Sequence, residues 1–187
     1  MGSRNTLVRS LHDVGAAAWF GGSLMGAVGL NGASASVADP TDRLGVASVG
    51  WARWAPVNAA AIGAHVIGGV GLIVANRTRL AAQHGAGTNT VIKALLTVAA
   101  VGTTVYSGVL GAKIAAGAGA PAESGVTPSS STPAAVAAAQ RQQRILQWVT
   151  PALVGTLIVL GAQQGEQQRP SQILAGVGNT LARRARN

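Results

Sequence analysis

Four long apolar runs, separated by shorter polar stretches, dominate the pattern of hydrophobic and polar positions along the chain. A helix crosses a bilayer with about 20 apolar residues, and each run reaches or approaches that length. The pattern therefore predicts an all-α, polytopic membrane protein whose four transmembrane helices form a bundle. The predicted spans cover residues 12–30, 55–75, 94–112 and 146–163.

The stretches around these spans define the predicted organisation. Residues 1–164 form the four-span membrane domain. Residues 31–53 contain Asn-Gly and Asp-Pro turn signals and are predicted to be an outer loop. Residues 115–132 are low in complexity, which is typical of a flexible outer linker. A helix is then predicted to start near Pro133, outside the membrane, and to run on into the fourth span, so that the fourth helix is extended on the outer side.

Residues 165–187 form a basic tail with apolar positions at helical spacing. Two interpretations stay open. The tail is either an interfacial helix on anionic lipid or an irregular segment that only fixes the topology. In the first interpretation three side chains contact lipid headgroups: Arg183, Arg184 and Arg186.

Composition supports helices that pack closely in lipid. Of the 187 residues, 48% are hydrophobic and only 10% are charged, against about 25% charged in soluble domains. The chain has 26 glycines, and small residues four apart let transmembrane helices approach. The predicted helix-packing positions are Gly22, Gly26, Gly68 and Gly111.

The net charge of +9 is explained by orientation in a membrane and not by nucleic-acid binding, because the basic residues lie mostly in short segments beside the apolar runs. One side of the predicted topology carries the larger share of them. These are Arg4, Arg9, Arg77, Arg79, Lys93, Arg169, Arg183, Arg184 and Arg186. The positive-inside rule therefore predicts a multi-pass protein of the cell membrane with both termini and the 76–93 loop in the cytoplasm.

His65 is an ionisable residue near the centre of the second span, and such residues are functional hypotheses by default. Asn58 lies seven residues earlier, on nearly the same helix face. A polar seam is predicted from spans two and three, comprising Asn58, His65, Thr97, Thr104 and Tyr106. The seam is either structural, with His65 bonded to Tyr106 or a threonine, or it lines a conduit for a small solute or a proton.

A metal or haem site at His12 or His65 is a third hypothesis. A haem held by both histidines needs them at similar depth. His12 lies at the inner end of span one and His65 ten residues from the same end of span two, a mismatch of about 15 Å at 1.5 Å per residue. With no cysteine in the chain and little His or Met in the spans, no metal and no cofactor are predicted.

The stretch LHDVGAAAWFGGSLMG resembles the first helix of bacterial four-helix membrane families, namely the copper-resistance D-like proteins and related families of unknown function. His12, Trp19, Gly21 and Gly22 carry the resemblance. The stretch AQRQQRILQWVTPAL is similar to the polar start of a helix in the relatives of unknown function. The resemblance implies a four-helix membrane fold. The chain lacks the His and Met enrichment expected of a copper transporter.

No carboxylate pair, nucleophile motif or Gly-rich nucleotide loop is present, so the chain is predicted not to be an enzyme. The favoured function is an accessory or packing subunit of a membrane complex or of the cell envelope. Its predicted partners are the lipid bilayer and either another membrane protein or a second copy of itself. Its outer loop and the outer extension of the fourth helix would be the contact surfaces.

Overall fold

The computed structural model describes residues 5–77 and 84–166, without the side chains of 84–86 and 164–166. Within these ranges the chain is helical apart from turns and one isolated β-bridge between Ala122 and Pro128. The basic tail lies outside the described residues, and so does the prediction that Arg183, Arg184 and Arg186 contact lipid headgroups.

The described elements are helices. They are α1 (Thr6–Met25), a π-helical turn (Gly26–Leu30), α2 (Asn31–Ala35), α3 (Arg43–Ala75), α4 (His84–Ala116) and α5 (Ala134–Glu166). The last three helices have 33 residues each, or about 50 Å at 1.5 Å per residue. Both α3 and α5 continue through an internal proline, Pro56 and Pro151 respectively.

Within the described part of the chain, three helical segments are long and apolar enough to cross a membrane, judged by length and composition. They are Arg43–Ala75, Gly87–Ala116 and Ala134–Gln163. α1 has a polar first half, and its apolar stretch continues beyond Met25 through the π-helical turn. The apolar run predicted as the first span is therefore divided between two helical elements.

The four long helices pack around a small apolar core. α1 packs mainly on α3 and also on α5, and α5 packs on α4, whereas α3 and α4 touch each other much less. One buried cluster takes residues from all four helices: Ala16, Trp19, Ala61, Ala100 and Val154. This cluster fills the middle of the assembly. A second buried cluster is built around Leu44, near the start of α3, and around Leu110 and Ile114, near the end of α4.

Backbone-to-backbone contact holds α1 against α3. A Cβ added at Gly15 would lie 2.5 Å from the carbonyl oxygen of Ala61 and 2.6 Å from the amide nitrogen of His65. A Cβ at Gly68 would lie 2.4 Å from the amide nitrogen of His12. No side chain fits into either gap, so glycine at these two positions sets the distance between the helices.

The predicted outer loop is wrong over much of its length, because residues 31–35 and 43–53 are helical. Between them, Asp39 accepts hydrogen bonds from the backbone amide and the hydroxyl of Thr41, at 2.9 and 2.7 Å. These bonds lower the pKa of the Asp39 carboxyl and close the turn before α3. The turn signals at 31–32 and 39–40 predicted a loop over the whole segment, but only the short stretch between α2 and α3 is a turn.

The prediction of a flexible linker at 115–132 is also wrong, since this segment folds onto α2, α3 and α5. Ala122 is fully buried, and the Gly125 amide donates to the hydroxyl of Ser34 at 2.8 Å. The amide of the fully buried Gln140 donates to the carbonyl of Ser124 at 2.9 Å. Side chains from the helices thus satisfy the backbone of this low-complexity segment, which we call the cap (residues 117–133).

Arg43 joins the cap to the start of α3. Its Nε donates to the carbonyl of Val37 at 2.8 Å and its Nη1 to the carbonyl of Ala122 at 3.1 Å. The Glu123 carboxylate lies 4.0 Å away and is mostly exposed, so it adds little. The outer contact surface predicted for the fourth helix is consequently half covered, because Val136, Ala139 and Gln140 are buried.

Replacing Arg43 with Ala is expected to loosen the cap, since two part-buried carbonyls lose a charged donor, at a cost of about 1–3 kcal/mol. Limited proteolysis with elastase, which cleaves after small residues, should then cut within 117–133 faster than in the parent protein. Arg53→Ala, an exposed arginine on the same helix, is the matched control and should leave the cleavage rate unchanged. Equal rates in both variants would contradict the role given to Arg43.

Candidate ligand pocket

Two histidines on neighbouring helices form a reciprocal pair. Nδ1 of His12 lies 2.9 Å from the carbonyl oxygen of His65, and Nδ1 of His65 lies 3.0 Å from the carbonyl oxygen of His12. The rings stack with their centroids 4.0 Å apart and their planes 19° apart. A carbonyl oxygen only accepts, so each Nδ1 must carry the proton, and in the neutral ring Nε2 is then an acceptor.

The depth mismatch estimated for His12 and His65 is therefore wrong. The estimate placed each residue by its distance from the end of an apolar run. In the structure, the register of α1 against α3 is set by glycines that pack against larger groups on the neighbouring helix. Gly26 lies under the ring of Trp51, Gly22 lies under the ring of Trp54, and the same antiparallel register brings His12 against His65.

The pair forms part of the wall of a cavity of about 630 Å³. α1, α3, α4 and α5 all contribute to its lining. Its buried wall includes Ala16, His65 and Leu157, all of which are at most 4% exposed. The apolar cluster around Trp19 fills the space next to it. The cavity, which we call the pocket, is thus a recess at one end of the helices.

The charged lining residues and most of the polar ones come from the first half of α1, the end of α3 and the start of α4. The charged ones are Arg9, Asp13 and Lys93. Asp13 attracts the Lys93 ammonium electrostatically. The ammonium nitrogen lies 3.9 Å from the position that a Cβ at Gly161 would take. Lys93 therefore reaches from α4 towards α5. The opposite walls are apolar, with Val66, Val70, Val98 and Ile158 among them.

The residues of the predicted seam are separated in the structure. Thr97 lies in the pocket, with its hydroxyl 3.4 Å from Nε2 of His65 and 2.9 Å from the carbonyl of Lys93, to which it donates. Thr104 instead accepts a bond from Nε1 of Trp19 at 3.2 Å. Tyr106 donates to Gln142. Oδ1 of Asn58 is buried without a hydrogen-bond partner in the described part of the chain.

Three of the four predicted packing glycines lie at the contact between α1 and α3. Gly22 and Gly26 lie under tryptophan rings, and Gly68 lies under the backbone of α1. Gly111 differs, since a Cβ there would meet nothing within 4 Å. Within the described residues α4 therefore makes no close helix contact at that position, and the packing role predicted for Gly111 is not supported.

Sequence reasoning identified His65 and Thr97 but missed Arg9, Asp13 and Lys93 as neighbours of the same pocket. Arg9 and Lys93 were interpreted only as charges that fix the topology. Their spacing in the chain gives no sign of proximity. A usable signal was the spacing of His12, Gly15, Trp19, Gly22 and Gly26, which alternates between three and four and places them all on one face of a helix.

Among the side chains that the structure describes, no group of three or more His, Cys, Asp or Glu residues is placed so that it could hold a metal ion. Comparisons with protein-family models, with curated proteins and with solved structures found no match to this chain.

Proposed function

We propose that the chain is a four-span integral protein of the cell membrane, with α1 and the π-helical turn together forming the first span. Three long apolar helices support this proposal. So does the contact of α1 with two of them. Large apolar side chains lie exposed along the outer faces of these helices, where lipid would cover them. The distribution of Lys and Arg favours both termini and the 76–93 connection on the cytoplasmic side, which places the pocket in the cytoplasmic half.

Cysteine labelling tests this orientation directly, because the natural chain has no cysteine. Ser131→Cys lies on the exposed surface of the cap, and Thr88→Cys lies on an exposed position near the start of α4. We expect a membrane-impermeant maleimide to label Ser131→Cys in intact cells and to label Thr88→Cys only after the membrane is opened. The reverse pattern would invert the topology.

For the function itself, we propose that the protein binds a small molecule in the pocket and catalyses no reaction. The observation that carries this proposal is a cavity lined by four helices, with apolar walls and polar groups gathered at one end. Its volume falls within the range of about 300–1,000 Å³ that is usual for ligand sites. Two observations favour a binding recess over an open conduit. Apolar side chains fill the space between the helices around Trp19. Thr97, Thr104 and Tyr106 contact different partners and do not form one continuous polar path.

A cavity-filling variant tests this function. Gly161 lines the pocket, and a Cβ there meets nothing closer than the Lys93 ammonium at 3.9 Å. Gly161→Leu should therefore fill the pocket without forcing the helices apart. Gly111→Leu is the matched control, because that position is open and does not line the pocket. Both variants replace a helical glycine by a better helix former.

The readout is mass spectrometry of small molecules that co-purify with the protein in a mild detergent. We expect a molecule retained at about one per chain by the parent protein and by Gly111→Leu, and lost from Gly161→Leu. If all three proteins retain the same molecules in the same amounts, the pocket is not the binding site. If none retains any, the proposed binding function is contradicted.

A second candidate function is the accessory or packing subunit. An exposed stripe on α4 favours it, formed by Val91, Leu95, Val98, Val105 and Val109, all between 48% and 70% exposed. Gly102 lies in the middle of the stripe with open space beside it. A partner helix or a second copy of the chain fits such a surface. The same purified sample should then contain a stoichiometric protein partner or a homo-oligomer, and this should be lost in Val105→Asn, which lies on the stripe and outside the pocket.

A further inference from the structure

The pocket is open along the side as well as at its end. Four of its apolar wall residues are between 40% and 70% exposed: Val66, Val70, Ile73 and Val98. The first three belong to α3 and the last to α4. These two helices touch each other much less than the other neighbouring pairs do. In a bilayer, a gap between α3 and α4 faces hydrocarbon, so an apolar chain reaches the pocket without passing through water.

The charged end of the pocket favours an anion. Among the described residues, the charged lining groups are Arg9, Lys93 and Asp13, whose formal charges sum to +1 when the histidines are neutral. Asp13 offsets one cation, so these groups together attract an anion more strongly than a cation. Asn76 and Thr90 also line this end of the pocket. Carboxylate and phosphate are the anions that charge-assisted bonds of this kind select.

The size of the pocket matches one acyl chain. At about 30 Å³ for each water-sized group, a volume of 630 Å³ holds about 20 groups. That is close to a single long chain with its headgroup. The polar groups lie around the connection between α3 and α4, while the apolar walls run away from it, which suits a molecule with one polar and one apolar end.

We infer that the pocket binds a single-chain anionic lipid, with a carboxylate or phosphate head beside Lys93 and Arg9, taken from the bilayer through the gap between α3 and α4. This inference rests on the proposed binding function and specifies its ligand class and its route of access. The Lys93 ammonium provides the main contact for the head, since it reaches into the pocket. Arg9 lies at the exposed rim.

Radiolabelled oleate is the probe, added to the full chain in nanodiscs of phosphatidylcholine. We expect saturable binding of about one oleate per chain. Oleyl alcohol and oleylamine, which keep the chain but change the head, should compete at least about tenfold less well. Lys93→Met should weaken oleate binding by about tenfold or more, as expected for the loss of a bond to a charged group, and Lys93→Arg should retain it. Lys113→Met, at the other end of α4, should leave oleate binding unchanged.

The controls separate this inference from the function on which it rests. If oleyl alcohol binds as well as oleate and Lys93→Met changes nothing, the headgroup assignment is overturned while binding in the pocket stands. If butyrate or inorganic phosphate competes as well as oleate, the ligand comes from water and the lipid route is overturned. If no probe binds saturably, or if Gly161→Leu leaves oleate binding unchanged, both this inference and the pocket as its site fail.

Discussion

Replacing Gly68 with Ala is expected to destabilise the protein by about 3 kcal/mol, at the upper end of the range for overpacking. The added methyl would lie 2.4 Å from the His12 amide nitrogen and 2.6 Å from the Val8 carbonyl oxygen. These are backbone atoms of a helix, so relief requires moving α1 away from α3. Such a movement also separates the stacked histidines and opens the wall of the pocket.

The control for Gly68→Ala lies on the same helix. Gly63 has nothing within 4 Å of an added Cβ, so Gly63→Ala should be neutral or stabilising by up to about 1 kcal/mol. Gly15→Ala and Gly21→Ala form the corresponding pair on α1, with backbone contact and open space respectively. Unfolding by SDS in mixed micelles measures all four. Equal stability of Gly68→Ala and Gly63→Ala would contradict the contact between the two backbones.

Replacing Trp19 with Ala is expected to cost about 3–5 kcal/mol, as for other buried aromatic truncations. Trp19 is fully buried in the cluster that joins all four long helices, donates to Thr104, and places its ring against His65 with centroids 6.1 Å apart. Its removal leaves a cavity beside the pocket and an unfilled centre between the helices. Trp19→Phe should recover most of the loss, because the ring is kept and only the indole bond is missing.

Trp148→Ala is the matched control for Trp19. Trp148 is half exposed on α5, where lipid covers it in the proposed topology. Its truncation should change the unfolding free energy by less than about 1 kcal/mol. A similar loss in both variants would mean that the centre of the assembly is not organised around Trp19.

The helical class and the three long apolar helices follow directly from hydrophobicity, because run length and composition determine whether a segment is able to span a bilayer. The connections were harder to predict. Low complexity in residues 115–132 indicated a flexible linker, yet the cap is ordered by partners far away in the chain, such as Arg43, Ser34 and Gln140. Composition describes what a segment prefers alone and does not include such long-range hydrogen-bond partners.

The pocket was predicted only in part, and the error lay in the register of two helices. The position of His65 in a span marked it as important, but the ends of the apolar runs gave the wrong depth for His12. Packing gives the right one. The residue numbers of each facing pair, Gly26 with Trp51, Gly22 with Trp54 and His12 with His65, add to 76 or 77. Matching small residues against large ones along two antiparallel stripes would have brought the histidines together.

Two tryptophans show the same dependence on the partner helix. Trp51 and Trp54 precede an apolar run, a position typical of tryptophans at the membrane interface. Their rings instead cover Gly26 and Gly22, and Nε1 of Trp51 donates to Asn31 at 3.0 Å. Asn31 in turn donates to Gln147 at 2.9 Å. A tryptophan at the end of a span serves either lipid or a neighbouring helix, and only the partner helix decides between them.

Nitrogen NMR of the protein in lipid bilayers, with labelled histidine, tests the contact between α1 and α3 in which the two histidines form part of the pocket wall. For His12 and His65 we predict a proton on Nδ1, a bare Nε2 in the neutral ring, and a through-space contact between the two rings. Neutral rings protonated on Nε2, or two rings without contact, would contradict the register of α1 and α3 and the pocket that depends on it.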